Sequence, residues 1–274
     1  MGIARRRSQG DAAYVLAIVS DDRGVVDGMG ELGISFRAVD RRTQKLALPD
    51  GAPLYEVPPE YVRYRIRQGL ATGVRAHRPE APDYRRWSFL LEGIDDTWEP
   101  DLEGLCREHA RPAWLERTAV LMLAVEYMDW WPDPDARDGG AVRRFLAEVT
   151  AALARLPDGG RGNNRALQAP PYIELLAETE YMAVLWPFDH AGSAAIEALI
   201  ERHIEAVLPP RQVQRLRDAL LQMGYLADLS GRPTLCTLVM TAAWALGSDS
   251  GVTPKRHPFL RQSLRRAVEV AIAL

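Results

Sequence analysis

Hydrophobic positions follow two different spacings along this chain, and the change between them divides it into two parts. Residues 13–19 form a short apolar run of strand length. From Pro100 onward, apolar residues recur at intervals of three and four, which predicts a series of amphipathic helices. The pattern therefore predicts an α+β protein that is mostly helical, with a small mixed α/β module at residues 1–95 and a helical domain at residues 96–274.

The helical domain is predicted to hold about seven helices in a bundle or a stack, and its short connections favour antiparallel neighbours. Gly224 and Gly247 each follow an apolar stripe, and glycine commonly ends a helix because it accepts a left-handed conformation. The clearest stripes comprise Val142, Phe145, Leu146, Val149, Leu153 and Leu156; Ile196, Leu199, Ile200, Ile204 and Val207; Val213, Leu216, Leu220 and Met223; and Leu235, Leu238, Val239, Ala242 and Leu246.

The most apolar run of the chain lies at residues 114–131. Pro112 precedes it at a place where the first turn of a helix tolerates proline. A helix that is apolar on every side is buried in a core or lies in a membrane. Glu126 and Asp129 interrupt the run before the roughly 20 apolar residues that a membrane span requires. The run therefore predicts a central, buried helix.

Two segments of the N-terminal module are harder to assign. In residues 61–67, apolar residues alternate with arginines as in a strand, but they also fit one face of a helix. The preceding Pro58-Pro59-Glu60 sequence favours a helix start. Residues 87–91 are apolar and predict a last strand of the module.

A glycine-rich GxGxxG sequence occupies residues 28–33. In a dinucleotide-binding fold it would open a helix, but the alternating residues 34–40 predict a strand after it. Residues 28–49 resemble the start of the N-terminal lobe of a bacterial Ser/Thr kinase. That resemblance implies a nucleotide-binding loop between two strands. Pro49 stands where the phosphate-binding lysine is expected, and no HRD or DFG sequence follows, so an active kinase is not predicted.

Four acidic residues are the candidate metal ligands: Asp95, Asp96, Glu126 and Asp129. Glu126 and Asp129 are three residues apart and share one face of a helix. Carboxylates that converge can hold a divalent cation or transfer protons, which predicts a metal-dependent enzyme if the two pairs meet. The alternative is that Asp95 and Asp96 cap a helix and that Glu126 and Asp129 are solvated or paired with arginine.

Arginine and aromatic residues alternate through residues 61–87, a combination that can bind single-stranded nucleic acid or a phosphorylated ligand. The formal net charge of −3 does not by itself indicate a polyanion partner, and only two of the 34 basic residues are lysines. Arginine is thus the ordinary cation of this chain, and a solvated face paired with acids is the alternative. The segment contains Arg63, Arg65, Arg67, Arg75, Arg78, Arg85 and Arg86 with Tyr61, Tyr64, Tyr84 and Trp87.

Sequence motifs of catalysis are absent: the chain has no GxSxG, P-loop, HExxH or CxxC. Cys106 and His109 are three residues apart, a spacing that alone does not make a nucleophile and its base. Cys106 and Cys236 lie far apart and have neither a metal-binding nor a disulfide spacing, which fits a reducing compartment.

The leading hypothesis is therefore a non-catalytic cytoplasmic interaction or regulatory protein that acts through its helical surfaces on another protein or a second copy of itself. The sequence identifies no cofactor and no catalytic residue. Aromatic residues near predicted helix ends suit such an interface: Trp130, Trp131, Trp186 and Phe188.

Overall fold

The computed structural model describes residues 2–8, 11–20, 24–35, 37–38, 41, 57–75, 77, 84–121, 140–155 and 190–273. The chain forms two compact units, residues 1–101 and 102–274. The described part is mostly helical and contains a three-stranded antiparallel sheet, so the predicted α+β, mostly helical class is confirmed. None of the described helices is long and apolar enough to cross a membrane.

The sheet of the first unit has the strand order β1-β2-β3, with β1 at Gly2–Ser8, β2 at Asp11–Ser20 and β3 at Gly24–Ile34. The strand predicted at residues 13–19 is confirmed as the middle strand. Side chains alternate across it, because Val15 and Ala17 are buried whereas Ile18 is 45% exposed. One face of the sheet therefore supplies a core.

Helix α1, Pro59–Arg75, covers that face and contacts all three strands. The helical interpretation of residues 61–67 is thus confirmed: Val62 and Ile66 are buried against the sheet, and the arginines between them are partly exposed. The helix approaches β3 closely at Gly24, where a Cβ atom would lie 2.4 Å from the Gly69 carbonyl oxygen. Gly24 also has a φ of +84°, so only glycine fits there without strain.

The strand predicted at residues 87–91 is wrong. The chain forms a short helix α2, Tyr84–Trp87, followed by a 3₁₀ turn, Ser88–Leu91. Trp87 is 1% exposed and packs on β3, where a Cβ atom at Gly28 would lie only 2.5 Å from its ring. The apolar character of this segment therefore reflects packing against the sheet rather than pairing within it.

The glycine-rich residues 28–33 lie inside β3, so they do not form a loop between two strands. The strand predicted at residues 34–40 is wrong, since β3 ends at Ile34 and Arg37 and Ala38 are helical. Gly28, the first glycine of the motif, makes room for the indole ring of Trp87. Packing accounts for that glycine, and the nucleotide loop implied by the kinase resemblance is contradicted.

The second unit is helical throughout its described part. Its α-helices are α3 (Leu102–His109), α4 (Gly140–Ala154), α5 (His190–Val207), α6 (Pro210–Leu229), α7 (Pro233–Ala245) and α8 (Pro258–Ala273). Three 3₁₀ segments accompany them: Pro112–Val120, Ser248–Ser250 and Pro254–Arg256. The helices predicted from the stripes at 142–156, 196–207 and 235–246 are confirmed.

Helix α7 is the buried centre of this unit. Nine of its 13 residues are buried, and it contacts α3, α6 and the 3₁₀ segment Pro112–Val120. The predicted central helix at 114–131 begins instead as that 3₁₀ segment, with Glu116 and Arg117 exposed and Thr118 and Leu121 buried. A 3₁₀-helix has three residues per turn, so Thr118 and Leu121 lie on the same side of this segment. The rest of the run, from residue 122, lies outside the described residues.

The predicted helix end at Gly224 is wrong, because α6 continues to Leu229. Gly224 is buried where α6 meets α7, and a Cβ atom there would lie 2.5 Å from the Met240 Cε atom. The helix ends at Leu229, and Gly231 in the turn that follows has a φ of +66°. A glycine within an apolar stripe thus marks close helix packing here rather than a helix terminus.

Candidate functional site

The acidic candidates of the first unit have local structural partners. The Asp95 Oδ1 atom accepts hydrogen bonds from the Thr97 backbone N–H at 2.9 Å and from the Thr97 hydroxyl at 2.7 Å, and these bonds lower the pKa of Asp95. The exposed Asp96 carboxylate pairs with Arg63 at 3.3 Å. Glu126 and Asp129 lie outside the described residues, so their convergence with Asp95 and Asp96 stays a prediction.

Two arginines of α1 bind the segment at residues 91–99. Arg63 donates to the backbone carbonyls of Leu91 and of Ile94, the latter at 2.6 Å. Arg67 donates to Glu99 at 2.6 Å, and its guanidinium lies 5.9 Å from the centre of the Tyr64 ring. These contacts favour the alternative of arginines paired with nearby acids over a nucleic-acid face.

Three side chains of different types meet in the second unit: His109, Asp228 and Cys236. One nitrogen, one oxygen and one sulfur atom of this His–Asp–Cys cluster all lie within 4.8 Å of one another. The His109 Nε2 atom is 3.8 Å from Asp228 Oδ1 and 4.0 Å from the carboxylate oxygen Oε1 of Glu108. Within the described ranges this is the one group of three or more His, Cys, Asp or Glu side chains close enough to share a metal ion.

A tight helical hairpin places Asp228 beside Cys236. Asp228 lies in the last turn of α6 and Cys236 in the first turn of α7, separated by the turn at residues 230–232. Backbone hydrogen bonds fix this turn, from the Gly231 N–H to Asp228 O at 2.9 Å and from the Cys236 N–H to Arg232 O at 2.9 Å. His109 is the last residue of α3, which packs against both helices of the hairpin and completes the cluster.

Within the cluster the Cys236 thiol is buried, whereas the Asp228 carboxylate is exposed to solvent. Cys236 is 0% exposed, and burial, reinforced by Asp228, Cys106 and Glu108, raises the pKa of its thiol to about 12. The side chains of His109 and Asp228 are 23% and 43% exposed. Cysteine, histidine and aspartate are also the residue types of a thiol hydrolase triad. A fully buried, neutral thiol is a poor nucleophile, so the geometry does not favour that chemistry.

The second cysteine is structural. The Cys106 Sγ atom lies 3.4 Å from the Met240 carbonyl oxygen, to which the thiol donates, and burial raises the pKa of this thiol as well. Cys106 therefore holds α3 against α7, while His109 one turn later reaches the cluster.

A groove lies elsewhere on the second unit, between the first turn of α6 and the segment after α7. Its cavity volume is about 340 Å³. Hydrogen bonds shape its wall, since the Ser250 hydroxyl lies 2.8 Å from the Ala245 and Gly247 carbonyls and accepts a bond from the Val252 N–H. Among the described residues no ionisable side chain lines it: the lining residues are Val213, Leu246, Gly247, Ser248, Gly251, Val252, Thr253 and Pro254.

The sequence did not identify the His–Asp–Cys cluster. Gly231 and Pro233 are a signal for the turn between α6 and α7, from which the proximity of Asp228 and Cys236 could have been inferred. Nothing in the sequence indicates that α3 packs on this hairpin. Comparisons of the chain with protein-family models, with curated proteins and with solved structures find no match.

Proposed function

We propose that this chain is a non-catalytic cytoplasmic interaction protein that binds a partner protein through a surface of its helical unit. The observation that supports the proposal is the groove beside α6. The residues that the structure describes around it contribute apolar side chains, hydroxyls and backbone, and none of them is ionisable. Such a surface can bury an apolar side chain, and its hydroxyls have no acid or base among the lining residues to activate them for catalysis.

The size of the groove favours an apolar side chain of a partner over a cofactor. A volume of about 340 Å³ is near the lower end of the range of small-molecule pockets, about 300–1,000 Å³. Protein interfaces commonly centre on one apolar or aromatic side chain that fills a pocket of the other protein. The interaction is therefore expected to depend on a hydrophobic anchor residue of the partner.

The contacts of the first unit bear on the two rival hypotheses. The first rival is nucleic-acid binding through the arginines and aromatic residues of 61–87. Arg63 pairs with Asp96 and Arg67 pairs with Glu99, and these ion pairs leave less of the arginine charge for a polyanion. A metal-dependent enzyme with a site at Asp95, Asp96, Glu126 and Asp129 stays a second hypothesis, which requires the four carboxylates to converge.

The proposal is tested with a charge placed in the groove. Val213 is partly buried in the lining, so Val213→Glu introduces a carboxylate where the anchor would bind. Val74 is 74% exposed on α1, so Val74→Glu is the matched control for the same substitution outside the groove. The protein is purified gently from its own host, and native mass spectrometry identifies a stoichiometric partner.

Binding of that purified partner is then measured by calorimetry with the wild type and both variants. We expect Val213→Glu to weaken the affinity at least about tenfold, equal to about 1.4 kcal/mol, because a buried carboxylate is desolvated. Val74→Glu should bind as the wild type does. Equal affinity of the two variants, with circular dichroism showing both folded, would refute the groove as the binding surface.

A further inference from the structure

We propose that His109, Asp228 and Cys236 form a binding site for a divalent metal ion of the zinc class. The chemistry of the donor atoms supports this assignment. A thiolate and an imidazole are preferred ligands of Zn²⁺, whereas Mg²⁺ and Ca²⁺ prefer oxygen alone. The mixed nitrogen, oxygen and sulfur set of the cluster matches zinc more closely than it matches either of those ions.

The distances between donor atoms fit a site that closes when the metal binds. With Zn²⁺ bonds of about 2.0–2.3 Å, neighbouring ligand atoms of a tetrahedral site lie about 3.4–3.6 Å apart. In the cluster, His109 Nε2 and Asp228 Oδ1 are 3.8 Å apart, and all three atoms lie within 4.8 Å of one another. Closing the site requires small side-chain rotations, and Asp228, whose side chain is 43% exposed, has room to rotate.

Charge also favours a cation at this place. A thiolate and a carboxylate each carry one negative charge, so together with a neutral imidazole they balance a divalent ion. Binding would release the thiol proton of Cys236 to solvent. Helices α3 and α6 both end at the cluster, and the partial negative charges of two C-termini outweigh the single N-terminus of α7.

The fourth coordination position faces solvent. His109 and Asp228 are partly exposed, which gives a metal ion access from the surface. Glu108 stands beside this position with its side chain 74% exposed, and its Oε1 atom is 4.0 Å from His109 Nε2. Water, or Glu108 after a rotation of its side chain, completes the coordination. The bound ion would link α3, α6 and α7.

The test uses the full-length protein after removal of metal, with Zn²⁺ and Co²⁺ as probes. Zinc binding is measured by calorimetry, and Co²⁺ reports the ligands by its absorption, because a thiolate ligand gives a charge-transfer band and tetrahedral geometry gives intense visible bands. The variants are Cys236→Ser and Asp228→Asn. The matched control is Cys106→Ser, which removes the other buried thiol and none of the proposed ligands, while the serine hydroxyl can still donate to the Met240 carbonyl oxygen.

We expect one Zn²⁺ per wild-type chain and a thiolate band with Co²⁺. Cys236→Ser should abolish that band and weaken Zn²⁺ binding by on the order of 100-fold or more, because even groups that only orient ligands contribute about 10–100-fold. Cys106→Ser should keep both the band and the affinity.

Absence of stoichiometric Zn²⁺ binding to the wild type would overturn the proposal. Binding that Cys236→Ser leaves unchanged, or a Co²⁺ spectrum without a thiolate band, would overturn it equally. Should Cys236→Ser unfold the protein, the partly exposed Asp228→Asn decides the question by the same zinc affinity measurement. These results are independent of the groove, since Val213→Glu leaves the three ligands in place.

Discussion

His257 is a buried histidine whose protonation should destabilise the folded protein. It is 0% exposed, and its Nε2–H donates to the Ala242 carbonyl at 3.1 Å. The Nδ1 atom has no hydrogen-bond partner in the described part of the chain. A proton at Nδ1 would therefore place a charge in the core without a partner. Burial accordingly lowers the pKa of His257 from 6.5 to about 4.

The sign and size of the effect follow from that pKa. Below pH 6.5 the unfolded chain binds a proton at residue 257, while the folded chain does not bind it until the pH approaches 4. The free energy of unfolding thus falls as the pH decreases from 6.5 to 4, by about 3 kcal/mol in total. Between pH 7 and pH 5 the expected loss is about 2 kcal/mol.

Urea unfolding of the wild type and of His257→Gln at pH 7 and pH 5 measures this contribution. The glutamine amide can still donate to Ala242 O but does not titrate. The decrease in the free energy of unfolding between pH 7 and pH 5 is measured for each protein. Subtracting the decrease of the variant from that of the wild type removes the contribution of every other titrating group. We expect a difference of about 2 kcal/mol; equal losses for the two proteins would refute the reasoning.

Three further predictions concern packing, a loop and the proposed metal. Gly24→Ala should lower the free energy of unfolding by about 1–3 kcal/mol more than Gly231→Ala in urea titrations, because both glycines have positive φ but only Gly24 would place a Cβ against backbone, at 2.4 Å. A similar effect of the two substitutions would contradict the close approach of α1. Arg63→Gln should speed hydrogen exchange at residues 91–97 relative to Arg75→Gln, since Arg63 donates to two carbonyls of that segment whereas Arg75 donates to Ala71 and Thr72 of its own helix; unchanged exchange would show that the arginine is not needed. Zn²⁺ at 100 times its Kd should stabilise the wild type by about 2.7 kcal/mol in thermal unfolding, and Cys236→Ser at the same zinc concentration should show little of that gain.

Much of the helical unit could be predicted because its signals are local. The stripe from Ile196 to Val207 is a single face of one helix, and Pro209 ends it within the same stretch of sequence. The helix at residues 61–67 was likewise favoured by Pro59 at its first position. Propensity and periodicity are properties of neighbouring residues, so they can be recognised without tertiary structure.

The predictions that are wrong involve residues whose role depends on contacts with residues distant in sequence. Trp87 belongs to an apolar run, but its ring lies over Gly28 of β3, which no local pattern reveals. Gly224 has the position of a helix end, but it is there because Met240 packs against it. The same limit applies to the His–Asp–Cys cluster: Asp228 and Cys236 are joined by a local turn, while His109 arrives through the packing of a helix from far earlier in the chain.

The hairpin of α6 and α7 also has a consequence for the order of folding. Its two helices contact each other across a turn of three residues, so little chain entropy is lost when they meet. We expect this hairpin to nucleate the unit, with α3 docking afterwards at a larger entropic cost. The thiol and the carboxylate would then be adjacent in an early intermediate, and arrival of the imidazole would mark a late step on the pathway to the native state.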